Sequence, residues 1–172
     1  GLSVILPTRK KPLIVFNIDI LGDLNFAEQY VLLLGTLRDS RILQIKLNGD
    51  FAFLLSWGSE KVFAFTVGGF HPRYTNKPEK LYDLKRISAE ISRSAGSARI
   101  QLVCQLYQAV TSNSFQIGFR TDLYGKWKSV TFTGYLGFDA LIQFDPFRFE
   151  VDIYMGVEVK WKGRTLFGVD LA

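Results

Sequence analysis

Cysteine, histidine and methionine occur once each among the 172 residues. The lone Cys104 excludes an internal disulfide and any multi-cysteine metal site. With a single histidine, His71, only one side chain serves as an ordinary neutral-pH base. Apolar runs are short: uncharged stretches such as Tyr30 to Leu34 fall far below the roughly 20 residues of a membrane-crossing helix, so no transmembrane helix is expected. The opening Gly-Leu-Ser-Val has neither Met nor the basic, apolar and small-residue succession of a signal peptide, as expected of a module within a larger polypeptide. Also missing are a phosphate-binding Gly-rich loop with Lys, a Gly-x-Gly-x-x-Gly dinucleotide fingerprint and a Gly-x-Ser-x-Gly elbow.

What is abundant is apolar surface. Hydrophobic residues make up 48% and aromatics 15%, against 22% charged, which places the chain among folded domains rather than disordered ones. The length suits one domain spanning residues 1–172. The net charge is +5, and the stretch from Arg73 to Arg99 carries seven Lys or Arg against Glu79, Asp83 and Glu90, or +4. A basic patch can meet nucleic acid or anionic lipid, but this one reads as a solvated connection and nucleic acid is disfavoured.

Period-two alternation dominates. Phe147, Phe149, Val151, Ile153 and Met155 alternate with polar neighbours, as do Val157, Val159 and Trp161, and again Phe115, Ile117 and Phe119. These are half-buried strands. Ile14 to Leu21 and Phe51 to Trp57 are apolar on both sides and are expected centrally. Asn48-Gly49 predicts a two-residue hairpin turn between Arg41–Leu47 and Phe51–Trp57. Further turns are expected at Gly22-Asp23, Gly58-Ser59, Ser94 to Ser97, Ser112-Asn113, Tyr124 to Lys126, Asp145-Pro146 and Lys162-Gly163. Only Pro78 to Arg86 admits a short helix, and Tyr74 to Lys80 is the longest irregular connection. The fold class is therefore all-β: an antiparallel meander of roughly a dozen strands, forming a curled sheet, sandwich or barrel, because a bare apolar face needs cover.

The most distinctive string is Gly68, Gly69, Phe70, His71, Pro72, Arg73 and Tyr74. Pro72 pushes His71 toward extended backbone, and the paired glycines permit a close approach. Arg73 disfavours the imidazolium, leaving a neutral ring. A catalytic His71 needs a nucleophile and an orienting carboxylate, for which a Ser or Thr and Asp139 are the candidates. The favoured reading is a structural or interaction loop, tied to the sheet by His71 and Arg73. Cys104 shares a face with Ile100, Leu102 and Leu106 and reads as a buried, inert thiol. The aspartates form no calcium loop, so neither metal nor cofactor is expected. Lys126-Trp127-Lys128 and Lys160-Trp161-Lys162 suit base stacking or a membrane surface, although Trp161 falls on an apolar strand face, where core packing is favoured.

The Gly68 to Tyr74 string, with Tyr107 to Gly118 and Gly137 to Phe147, resembles an uncharacterised family of very long β-rich microbial proteins known only as a domain of unknown function. The resemblance covers most of the chain, with Tyr at 74 where Phe is expected. It implies a module inside a larger polypeptide and brings no activity or cofactor. Two functions follow, in order. The first is a non-catalytic structural or protein-interaction module contacting neighbouring modules or a protein partner. The second is binding or carriage of an apolar, lipid-like ligand in a curled groove. Hydrolysis centred on His71 ranks third.

Overall fold

The structure, a computed structural model, describes residues 1–7 and 12–172. Among the described residues, eleven antiparallel strands form one sheet. They are β1 (Leu2–Pro7), β2 (Pro12–Asn25), β3 (Tyr30–Ile42), β4 (Ile45–Trp57), β5 (Lys61–Val67), β6 (Ile87–Ala95), β7 (Ala98–Thr111), β8 (Ser114–Trp127), β9 (Val130–Gln143), β10 (Arg148–Trp161) and β11 (Arg164–Leu171). Each strand pairs with its sequence neighbour except at one place. There β5 and β6 lie end to end in a single gap: β5 pairs with Phe51–Trp57 of β4, and β6 with Lys46–Asn48. Both then pair with β7. No pairing joins β1 to β11 among the described residues, so the sheet is open.

The chain between β5 and β6, residues 68–86, leaves the sheet as a strap over one face and contains the one short helical element among the described residues, the 3-10 turn Glu79–Leu81. Beneath it the strands carry Ala52, Ala64 and Ala109, all fully buried. Alanine is a poor strand former, but its small side chain leaves room for Phe70, Tyr74 and Leu81 of the strap, which join these alanines, Leu54 and Leu141 in the core.

Register decides what each face carries, because directly paired residues point the same way. Away from the strap, Leu33, Phe53, Phe65, Val110, Phe115, Ile142 and Phe149 form one unbroken cross-strand row from β3 to β10. Leu106, Phe119, Phe138 and Ile153 form another. This face has no cover: Phe65 is 42% exposed and Phe149 and Ile153 60%. The strap face carries the polar half of the alternation, including Gln116, Asp139, Glu150 and Asp152.

Several expectations are corrected. Asn48-Gly49 is not a turn but lies inside β4, and the chain reverses at Leu43-Gln44, with Leu43 at φ 55°. Gly49 is needed because the returning chain passes close, where a Cβ would lie 2.6 Å from the Ile87 Cα. Gly22-Asp23 and Tyr124 to Lys126 are likewise interior to β2 and β8. Two predicted runs, Phe147 to Met155 and Val157 to Trp161, fall on the single strand β10, except that Phe147 stays in the turn before it. The run Ile14 to Leu21 is not central but sits beside edge strand β1, whereas Phe51 to Trp57 is interior. The longest connection is residues 68–86 rather than Tyr74 to Lys80.

Gly68 starts the strap at φ +80°, where a Cβ would lie 2.3 Å from the Leu106 carbonyl oxygen, while Gly163 at φ +76° has nothing within 4 Å. Gly163→Ala is therefore expected to cost only the left-handed penalty of about 1–2 kcal/mol, and Gly68→Ala that penalty plus the clash. Equilibrium urea unfolding of the two variants measures the difference, and equal losses would contradict a strap seated against β7.

Candidate functional site

The residues Gly68 to Tyr74 form the first half of the strap, and a chain of hydrogen bonds fixes them to the sheet. Thr66 Oγ1 donates to the Gly69 carbonyl. The His71 amide donates to Gln116 Oε1 at 2.8 Å, Gln116 Nε2 to Ser114 Oγ at 3.0 Å, and the Ser114 and Thr111 hydroxyls meet at 2.6 Å. Gln116, Ser114 and His71 are all fully buried. Arg73 pairs with Asp152 and lies 4.0 Å from Glu150. At 55% exposure this arginine adds well under about 1 kcal/mol. The strap's far end is held through Asp50, whose Oδ2 accepts the Lys85 amide at 2.8 Å, and by Arg86 Nη1 donating to the Gly68 carbonyl at 2.9 Å.

His71 itself is internally committed. Its Nδ1 accepts the Arg73 amide at 3.0 Å, which puts the proton of the neutral ring on Nε2. Nε2 is buried without a partner, and so is Oε2 of Glu150. Burial is the main cause that pushes the His71 pKa down, with Arg73 a lesser one, against the opposing pull of Asp139, Glu150 and Asp152. The sign expected from sequence holds, but its chief cause is desolvation rather than the neighbouring guanidinium.

Beside Pro72 a cleft of about 160 Å³ opens between strap and sheet, lined by Arg86, Gln105, Tyr107, Arg120, Asp139 and Tyr154. Arg86 stacks 3.8 Å over the Tyr107 ring. Burial, reinforced by the hydrogen bond its hydroxyl donates to Asp139 Oδ1 at 2.6 Å, drives the Tyr107 pKa far upward. Asp139 is thus engaged with a tyrosine and makes no hydrogen bond to His71 in the structure. No Ser or Thr hydroxyl bonds Nε2 either, so the catalytic set considered from sequence is not assembled. Among the described residues no three His, Cys, Asp or Glu side chains converge as metal ligands.

Other sequence readings shift. Cys104 is half-buried rather than buried, with Sγ 3.4 Å from Thr121 Oγ1. Trp161 lies on the apolar face as expected, yet is 47% exposed instead of packed in a core, and Trp127 is 59% exposed. The basic stretch is partly absorbed by the strap: Arg73 pairs with Asp152, Lys80 lies 4.3 Å over the Tyr30 ring and Arg86 stacks on Tyr107. The anchors Gln116, Asp50, Glu150 and Asp152 were not singled out from sequence. Their only signal was a place on the polar side of an alternating strand.

A family profile spans residues 1–172 from end to end. The chain belongs to the family of unknown function DUF6603. The strap and every strand of the sheet thus fall within the DUF6603 match. No curated protein and no solved structure matches the chain.

Because the folded DUF6603 domain resists protonation of His71 more than the unfolded chain does, the unfolded state binds more protons below the ordinary histidine pKa of about 6.5. The neutral-histidine contribution is complete above that value and is lost as pH falls below it. Urea unfolding at pH 7.5 and pH 5.5 is expected to show lower stability at the acid value, with a smaller difference for His71→Gln. Identical pH dependence in both proteins would contradict a buried neutral imidazole.

Proposed function

We propose that this domain is a non-catalytic sheet module whose apolar face contacts lipid acyl chains. The observation that carries the reading is the uncovered, uncharged middle of that face. Strands of 13 to 14 residues at about 3.3 Å per residue, and nine gaps of about 4.8 Å, give a face on the order of 2,000 Å². That is several times the largest apolar patch of a typical soluble monomer, about 300–600 Å². A protein partner of that size ordinarily meets its surface with roughly one hydrogen bond per 100–200 Å². Across the middle of this face the paired rows present only Gln108 and Thr121 as polar side chains. Acyl chains need no such bonds. Aromatic side chains gather at both ends, with Trp127 and Trp161 at one rim and Phe26, Trp57, Phe144 and Phe147 at the other, all at least 38% exposed. Aromatic residues favour the boundary between lipid and water.

A second reading, a structural module joined to its neighbours, is favoured by the edges. The sheet is ten strands wide, eleven less the one that shares a gap, and all its pairings are antiparallel. The edge strands β1 and β11 therefore run in opposite directions, and a neighbouring module can add at either edge without breaking the antiparallel pattern.

The test is acyl-chain binding by the full chain, measured with a fluorescent fatty acid and by native mass spectrometry of co-purified lipid. Ile153→Glu with Leu136→Glu replaces side chains that are 60% and 46% exposed and is expected to weaken binding at least about tenfold. Asp122→Asn on the opposite face is expected to change nothing. A chain that neither binds the probe nor carries lipid would overturn the reading in favour of the modular one.

A further inference from the structure

The two rims of the apolar face differ in charge. Register places Trp127 opposite Val130, and Val130 opposite Trp161, so both indoles stand at one level of the same face, about 10 Å apart across β9. Each is followed by a lysine that turns the chain, Lys128 at φ 53° and Lys162 at φ 48°. The ammonium of each lies 4.8 Å from the ring of its own tryptophan.

More positive charge surrounds them. At the same end of the sheet, but on the strap face, Arg99 stands directly opposite Lys126, a like-charge pair that is unfavourable unless an anion relieves it. Arg164 stands opposite Trp161. None of Arg99, Lys126, Lys128, Lys162 and Arg164 makes an ion pair among the described residues, while Lys160 is met by Glu158 at 3.1 Å. The other rim mixes Glu28, Glu60 and Asp145 with Lys61 and Arg148, and so comes near neutrality.

Resting on the acyl-chain reading, we propose that the Trp127–Trp161 rim seats on the anionic headgroups of a phospholipid bilayer. Chains on the apolar face bring headgroups to its rims; at the other rim Lys61 stands opposite Trp57 among the carboxylates just named, whereas this rim sets several unpaired cations around two exposed indoles. The indoles supply the interfacial anchors and the lysines the attraction to negative charge, a combination that suits an anionic leaflet better than a zwitterionic one. The same tryptophans and lysines also suit single-stranded nucleic acid, but beyond Arg93 in the row of Ile100 the face they open onto is mostly aliphatic and phenyl, with no basic track to follow a phosphate backbone.

The experiment is flotation of the full chain with vesicles of phosphatidylcholine alone or with one-third phosphatidylserine, at low and high salt. Preferential binding to the anionic vesicles, weakened by salt, is expected. Lys128→Gln with Lys162→Gln should reduce that binding on the order of tenfold or more, since each lysine near the surface is worth about fivefold, while fatty-acid binding stays intact. Trp127→Ala with Trp161→Ala should reduce binding to both kinds of vesicle. Equal binding of neutral and anionic vesicles with acyl-chain binding preserved overturns the rim alone. Loss of both kinds of binding overturns the acyl-chain reading with it. Tighter capture of a single-stranded oligonucleotide than of anionic vesicles also overturns the proposal.

Discussion

Everything in this molecule depends on strand alternation carried in register across the sheet. Because a residue and its cross-strand partner point the same way, the rhythm in any one strand matters only if its neighbours keep step, and here they do from β3 to β10. A slip by one residue would send Phe53, Phe65 and Phe115 to the strap side and Ala52, Ala64 and Gln116 to the other. The strap would then meet large rings instead of alanines, and its buried hydrogen bonds would lose their acceptor. Strap and register therefore specify one another: the strap seats only on the face with small and polar residues, and by seating there it distinguishes the two faces.

The strap's anchorage is polar and costly, which limits what it can be for. Burying His71 with an unpartnered Nε2, near a glutamate with an unpartnered Oε2, carries a penalty on the order of 1–3 kcal/mol for each group. Packing by Phe70, Tyr74 and Leu81 against the buried alanines is the term large enough to offset it, at roughly 1.5–3 kcal/mol for each fully buried side chain. The hydrogen bonds from His71 and Thr66 then supply direction rather than net stability. They fix where the strap crosses, and Pro72 is brought to the edge of the Arg86–Tyr107–Asp139 cleft.

Strand identity was legible in the sequence because alternation is local. Ser112-Asn113, Asp145-Pro146 and Lys162-Gly163 do reverse the chain between paired strands. Turn chemistry misled where glycine answers a tertiary need. Gly49 admits the backbone of Arg86 and Ile87, and Gly22 sits opposite Leu33 within a continuous strand. The strap's ends were invisible for a related reason: Gln116 lies 45 positions from His71, and nothing local in either segment announces the other. Of the candidate site, the Gly68 to Tyr74 string stood out by its composition; in the structure the His71 amide bonds Gln116 and Arg73 pairs with Asp152. The cleft beside it joins residues from five separate segments, and Asp139, considered for catalysis, belongs there with Tyr107 instead.

The two faces also explain why the proposed function rests on the exposed side of the sheet rather than on the cleft. The cleft's charged groups are largely answered within the molecule: Asp139 takes a tyrosine hydroxyl, Arg86 the Gly68 carbonyl and a ring face, and Arg120 both oxygens of Asp122. On the opposite face nothing is answered. A surface of this size left in water costs about 25 cal/mol for each Å² of apolar area, which over two thousand Å² amounts to tens of kcal/mol, more than the whole net stability of a typical domain. On the acyl-chain reading, a cover offsets part of that cost. The scarcity of hydrogen-bonding groups through the middle of the face, and the change to indole and ammonium at one rim, favour a cover that is fluid and apolar inside and charged at its boundary.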